Sequence, residues 1–410
     1  MKYTADFETA TWLPDETYVW AWAVCDIETE KVITGNDITT FFEYLENSKN
    51  STFYFHNLKF DGEFILYYLI QNGFTYIENK KERRDKTFLT LISDMGMFYQ
   101  ITIYFKVKGK KVVKATIYDS LKILPFSVDQ IAKSFNLEIS KLKIDYKEKR
   151  EKGHILTKEE EAYIQNDVKI VAEALKVLFS EGLEKMTIGA NALDNYKKIL
   201  TVDKFNHYYP SLDKVLDEDI RQAYKGGFTY VNPIYKEKDT GAGVVLDVNS
   251  LYPSVMYEKL LPFGDPVFFE GKYEEDNVYP LYIQQIRCRF KLKKNKIPTI
   301  QIKNSRFYFG NEYLEQSGEE LEVLTLTSVD LKLFLEQYDV FELKYLSGWK
   351  FKGIKGLFTS YIDKWIKVKN EATLSRKQRK EDTCKTNVKF SIRKICNFNA
   401  SSIKISNNRR

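Results

Sequence analysis

The chain has 410 residues, 43% of them hydrophobic, enough for two or three packed domains. No apolar run reaches the roughly 18 residues of a membrane span, and the start, M-K-Y-T-A-D-F-E, reads as a strand and not as a secretory signal. The four cysteines form no C-x-x-C pair and the three histidines do not cluster, which argues against a zinc hydrolase and for free thiols in a reducing cytoplasm. The net charge of +6 hints at nucleic acid, but residues 371–410 hold 11 Lys or Arg against 3 Asp or Glu. The first 370 residues therefore carry 52 basic and 54 acidic groups, so DNA binding there must rest on local patches.

In chain order, Y-T-A-D-F-E-T-A and V-W-A-W-A-V-C predict two strands, and D-I-T-T-F-F-E-Y-L-E predicts a helix. T-F-Y-F-H gives a strand and D-G-E-F-I-L-Y-Y-L-I a helix. A hairpin follows around G-K-K, joining F-Y-Q-I-T-I-Y-F-K-V to K-V-V-K-A-T-I-Y-D. T-K-E-E-E-A-Y-I-Q-N-D-V-K-I-V-A-E-A-L-K-V-L-F is a long capped helix. Strands interleaved with helices indicate an α/β domain over a mixed sheet, ending near a T-I-G-A-N turn around Gly189. From about Lys259 to Gly356 short β-like runs dominate, among them Y-I-Q-Q-I-R-C-R-F-K-L, I-P-T-I-Q-I-K and S-R-F-Y-F-G-N. G-L-F-T-S-Y-I-D-K-W-I-K-V-K then starts an amphipathic helix.

Four carboxylates are spaced to converge. Asp6 and Glu8 sit two apart on a strand and share a face. Tyr163 and Asp167 sit four apart on a helix and are neighbours there. Asp61 lies where a strand leads into a helix. D-x-E alone is commonly a solvated face, and Asp61 alone reads as an N-cap. Together the four make an all-oxygen site for hard divalent cations, and two ions about 3.5–4 Å apart suit phosphodiester hydrolysis. Like charges gathered this closely repel one another without metal.

In this order the motifs resemble those of the protein-primed family B DNA polymerases of small tailed phages, over roughly residues 1–370. The three nuclease motifs of that family, D-x-E, N-x-x-F-D and Y-x-x-x-D, stand here as Asp6 and Glu8, as Asn57, Phe60 and Asp61, and as Tyr163 and Asp167. The resemblance implies a ribonuclease H-like 3′–5′ exonuclease domain. In it Asp6, Glu8, Asp61 and Asp167 hold two Mg²⁺ or Mn²⁺ ions and Tyr163 orients the attacking water. It also implies that Thr9, Asn57, Phe60, Ser120, Leu121 and Tyr146 grip single-stranded DNA. Lys141 or Lys143 faces the scissile phosphate, and the doubled lysine leaves the choice open.

L-D-V-N-S-L-Y-P is similar to the first palm motif of the family. It implies Asp247 and the Val248 carbonyl as metal ligands, Ser250 and Leu251 along a deoxynucleoside triphosphate, and Tyr252 against its sugar. Tyr224, Gly226 and Gly227, in Y-K-G-G-F, resemble the element linking the nuclease and polymerase modules on primer-template DNA, where glycines allow close backbone approach. The expected domains are an exonuclease domain at 1–187, an incomplete palm at 188–258, a β-rich insertion at 259–356 that meets the terminal (priming) protein, and the start of the fingers at 357–374. The second palm motif D-T-D, the fingers motif and the thumb are not found in the sequence. A stand-alone exonuclease and a non-catalytic single-strand or terminal-protein binder are the alternatives.

Residues 375–410 are expected to be a frameshifted, disordered tail. Reading N-V-K-F-S-I-R-K-I-C-N one base later, with permitted codons, yields M-L-N-S-L-Y-G-K-F-A, which contains the fingers motif. The nucleotide sequence across codons 370–410 checks this directly. It should read the fingers motif in the shifted frame, and stop codons there would contradict the frameshift.

Overall fold

The computed structural model of the chain describes residues 1–13, 16–146, 148–225, 227–248, 250–301 and 313–378. These fall into two compact units, one of residues 1–195 with the described residues from Lys364 onward, the other Tyr196–Asp363.

The first unit is built on strands β1 (Lys2–Thr9), β2 (Val19–Asp26), β3 (Val32–Gly35), β4 (Ser51–Phe55), β5 (Thr75–Tyr76), β6 (Thr87–Ile92), β7 (Phe98–Lys108) and β8 (Lys111–Asp119). They form one eight-stranded mixed sheet in the order β3-β2-β1-β4-β8-β7-β6-β5, with β4 parallel to both β1 and β8. Helices α1 (Ile38–Asn47) and α2 (Leu58–Gln71) cover one face; α3 (Val128–Phe135) and α4 (Lys158–Ser180) cover the other. Alternation along β1 divides its residues between these layers. Tyr3, Ala5 and Phe7 enter the core under α1 and α2, which turns Thr4, Asp6 and Glu8 toward α4. The hydroxyl of Thr4 donates to Val168 O on α4 at 2.8 Å, fixing helix against strand.

The expected strands, hairpin and long helix are present in this unit. The short β3, β5 and β6 and the helix α3 were not anticipated. T-I-G-A-N, expected to be a turn, instead opens α5 (Ile188–Leu200), because the Thr187 hydroxyl accepts the Ala190 N–H at 3.1 Å. α4 starts on a capping box: Thr157 accepts the Glu160 N–H while Glu160 accepts the Thr157 N–H. Glu160 also receives the buried guanidinium of Arg150 at 2.6 Å. Burial opposes its charge, but Arg150, the Thr157 N–H and His154 outweigh it and hold the carboxyl at about 2. A depressed carboxyl adds stability above its unfolded pKa of about 4.3 that is lost as pH falls through the folded value. Arg150→Met strands Glu160 as a buried charge and should cost about 3–5 kcal/mol in urea unfolding at neutral pH.

The second unit opens on α6 (Val202–Tyr208), α7 (Lys214–Gln222) and α8 (Leu251–Glu258). Strands β9 (Leu261–Glu270) and β10 (Leu281–Leu292), the two-residue pair β11 (Ile300–Gln301) and β12 (Tyr313–Leu314), and β13 (Glu322–Thr327) follow. The helix α9 (Ser328–Gln337) and the long β14 (Tyr338–Ile354) come next, and α10 (Thr359–Gln378) begins in this unit and continues into the residues counted with the first. Four strands form a β13-β10-β14-β9 sheet whose inner face packs Ile286, Cys288 and Phe290 on Leu331 and Phe334 of α9. The β-rich texture expected for 259–356 is therefore observed, with an unforeseen helix. S-R-F-Y-F-G-N and residues 379–410, including most of the expected tail, lie outside the described residues. The backbone of α10 runs past residue 374 to Gln378.

Candidate nuclease site

α2 begins three residues before Asp61, so this aspartate occupies the first helical turn and is not the N-cap. That position belongs to Asn57, held at φ 72°, a left-handed conformation asparagine tolerates. Its backbone N–H donates to Asp119 Oδ1 at 3.1 Å, and the same oxygen accepts the Leu121 N–H at 3.0 Å. Gly62 lets α2 approach β7, because a Cβ there would come within 2.9 Å of the Phe98 ring. Asp61 is left 3% exposed.

On the face of β1 turned toward α4, ligand atoms of Asp6, Glu8 and Asp167 all lie within 4.8 Å of one another; Asp61, on α2, is not one of that group but is close enough to Asp6 to feel its charge. Burial, then the charge of Asp167, raises Asp6 to about 7. Burial, then Asp6 and Asp167, raises Glu8 to about 9. Asp61 is pushed well above the carboxylate range by burial and by the neighbouring Asp6, and Asp167 is raised by burial, partly offset by Lys141. Asp61 Oδ1 and Asp167 Oδ1 are buried without a hydrogen-bond partner. Carboxylate oxygens left orphaned in a cluster of like charge fit hard divalent cations, whose ligands are oxygens.

Lys141 Nζ donates to Asp167 Oδ2 at 2.8 Å. Burial disfavours its charge, but the Asp167 contact prevails and holds the ammonium above the usual lysine range. Lys143 is exposed and forms no ion pair among the described residues, so of the two lysines the structure brings only Lys141 to the carboxylates. The Tyr163 and Tyr146 hydroxyls lie 2.5 Å apart. Burial, then the charge of Glu8, raises the Tyr163 phenol, keeping it protonated.

Among the other expected DNA contacts, Asn57, Phe60 and Tyr146 are exposed, Leu121 is half-buried and Thr9 is buried. Ser120 is fully buried, its hydroxyl donating to Phe55 O at 2.9 Å and lying 3.0 Å from His56 Nδ1. Its side chain thereby fixes the turn that follows β8. His56, Asp119 and Arg150, which support these positions, were missed. The D-S-L and H-N-L strings held the signal for the first two, as polar residues at strand ends.

The second unit places Tyr252 beside Gly227, whose added Cβ would lie 3.5 Å from the Tyr252 hydroxyl. Gly226 lies outside the described residues. Tyr224, Asp247, Val248, Ser250, Leu251 and Tyr252 are all exposed, and Ser250 has φ 55°. V-V-L-D-V forms no strand, because no described strand pairs with it; Val245 is 97% exposed. Asp247 belongs to no cluster of three or more potential metal ligands among the described residues. No described helix is long and apolar enough to cross a membrane.

The model of the family "DNA polymerase type B, organellar and viral" matches residues 44–161 and 144–389. The DNA polymerase of Bacillus phage phi29 is 48% identical over 377 residues, covering 92% of this chain and 65% of its own length. That of Streptococcus phage Cp-1 is 31% identical, covering 92% of this chain and 67% of its own length. A solved structure of the phi29 polymerase superposes with a TM-score of 0.89 at 44% identity, covering 98% of this chain and 67% of that one. The same polymerase complexed with single-stranded DNA matches with a TM-score of 0.84 at 42% identity, over 97% of this chain and 66% of that one. The chain thus spans about two thirds of the length of the relatives it matches, and it belongs to the organellar and viral type B DNA polymerases.

Proposed function

We propose that the chain carries the 3′–5′ exonuclease of a protein-primed replicative DNA polymerase, acting on the 3′ end of single-stranded DNA. The observation that carries this reading is the largely buried cluster of Asp6, Glu8 and Asp167, with Asp61 near Asp6 and with orphaned oxygens on Asp61 and Asp167, beside Lys141 and a tyrosine pair. Two divalent ions, Mg²⁺ or Mn²⁺, would supply Lewis acidity and an activated water when bound. Asp6, Glu8, Asp61 and Asp167 would hold them. Tyr163, steadied by Tyr146, orients the attacking water through its hydroxyl. Lys141 sets positive charge against the scissile phosphate. Exposed Phe60 offers a ring for a base to stack on, and Asn57 a polar contact, as suits a site that tolerates any sequence. A related polymerase has been solved with single-stranded DNA, which supports the substrate class.

Lys141→Ala should lower the single-turnover degradation rate about 100-fold, while Lys143→Ala leaves it within about twofold. Equal losses in the two variants would contradict the assignment of Lys141.

The polymerase part of the proposal is a half-site. Asp247 and the Val248 carbonyl would serve a metal, Ser250, Leu251 and Tyr252 a deoxynucleoside triphosphate, and Tyr224, Gly226 and Gly227 the primer-template. A related polymerase has been solved with primer-template DNA and incoming nucleotide. The exonuclease domain would span 1–187, the partial palm 188–258, the terminal-protein contact 259–356 and the start of the fingers 357–374. Asp247 belongs to no group of three potential metal ligands among the described residues, and the sequence holds no D-T-D, which favours reading these 410 residues as an exonuclease alone. Primer extension and deoxynucleotidylation of the terminal protein should be undetectable in protein freed of host polymerases. Template-directed incorporation would contradict that reading.

A further inference from the structure

Lys141 and Tyr146 reach the carboxylates from the connection between α3 and α4, whose described residues form neither helix nor strand. Side chains on such a stretch hold a position only where the backbone is tied, because an untied chain gains entropy by moving. For Lys141 the tie is Asn166 on α4, whose Nδ2 donates to Ser140 O at 3.1 Å. For Tyr146 the ties are Thr11, whose hydroxyl donates to Tyr146 O at 2.7 Å, and, on the carbonyls either side of it, Arg150. Its Nη1 donates to Asp145 O at 2.8 Å, the carbonyl of the peptide that leads into Tyr146, and to Glu148 O at 3.1 Å. Its Nε donates to Glu160 on α4 at 2.6 Å, three residues before Tyr163. The guanidinium lies 4.7 Å from the centre of the Trp20 ring, and the residue is 2% exposed.

We propose that Arg150 is a positioning residue of the nuclease site. Its fork brackets the Tyr146 backbone to the turn of α4 that carries Tyr163, and so sets the pairing of the two hydroxyls. This rests on the exonuclease reading above. The role needs arginine: a planar fork donates in several fixed directions at once, which a lysine ammonium on a flexible stem does not reproduce. A purely structural ion pair would stabilise the fold without any coupling to Tyr146.

The full chain is tested as wild type, Arg150→Lys and Arg150→Met/Glu160→Gln, with and without Tyr146→Phe. The double substitution removes both buried charges, and glutamine retains the cap on Thr157. The readouts are single-turnover degradation of a 3′ single-stranded oligonucleotide with Mn²⁺ at saturating DNA, urea midpoints, and amide hydrogen exchange over 141–146.

Arg150→Lys should slow degradation about 10- to 100-fold and speed exchange over 141–146. In the Tyr146→Phe background, whose rate is already reduced, it should cost less than about threefold more. Arg150→Met/Glu160→Gln should regain a near-wild-type urea midpoint without regaining the rate. An equal loss in both tyrosine backgrounds, a rate that recovers together with stability, or unchanged exchange over 141–146 would each overturn the proposal. A wild type without metal-dependent nuclease would instead refute the exonuclease reading. The exchange measurement would then decide alone whether Arg150 holds the Tyr146 segment.

Discussion

Replacing Asp6 and Glu8 together by alanine will reduce metal-dependent degradation of single-stranded DNA by about 10³-fold or more. Asp167→Ala will do the same. Each substitution removes an oxygen donor from the cluster and leaves the packing of β1 and α4 intact, since Tyr3, Ala5 and Phe7 anchor the strand from its other face. The loss should therefore appear without unfolding. In EDTA, the conservative Asp167→Asn should melt at or above the wild-type temperature, because it removes a charge that burial disfavours and that repels Asp6 and Glu8. Full activity in Asp6→Ala/Glu8→Ala would mean that other residues perform the chemistry.

The second large effect is a dependence of stability on pH and metal. Asp6 at about 7 and Glu8 at about 9 stand well above their unfolded values near 3.9 and 4.3. The folded protein therefore binds more protons than the unfolded chain across that interval. The stability these groups contribute is fully present below about pH 4 and is lost as pH rises through about 7 and then 9. Without divalent ions, the melting temperature of the first unit should fall by on the order of 5–10 °C between pH 6 and pH 9. Millimolar Mg²⁺ or Mn²⁺ should restore most of it at pH 9 and add little at pH 5, where protons compete for the same oxygens. A melting temperature flat with pH in EDTA, or a metal effect equal at both pH values, would contradict a strained carboxylate cluster.

The sequence revealed most where periodicity and chemistry coincide. The two-residue spacing of Asp6 and Glu8 and the four-residue spacing of Tyr163 and Asp167 placed their side chains correctly, because strand and helix geometry fix direction over such short spans. The capped helix beginning after Thr157 was legible from its own residues. The supporting shell was not. Arg150 reads as one more basic residue in K-E-K-R-E-K, and only the fold shows it buried over Trp20 and turned to Glu160. Nor does the sequence show that the Ser120 side chain lies in the interior, hydrogen-bonded to Phe55 O and beside His56. The choice between Lys141 and Lys143 depended on the path of a stretch without regular structure, which has no period to read. The V-V-L-D-V run has strand composition but no described neighbour to pair with, and a strand exists only in a sheet.

The most direct measurement is a time course on a 5′-labelled single-stranded oligonucleotide with purified wild-type chain. With Mg²⁺ or Mn²⁺ the label should move through a ladder shortening one nucleotide at a time from the 3′ end, and EDTA should stop it. Degradation that persists in EDTA, that releases the 5′ label first, or that is absent with both metals would contradict a two-metal 3′–5′ exonuclease built on Asp6, Glu8, Asp61 and Asp167.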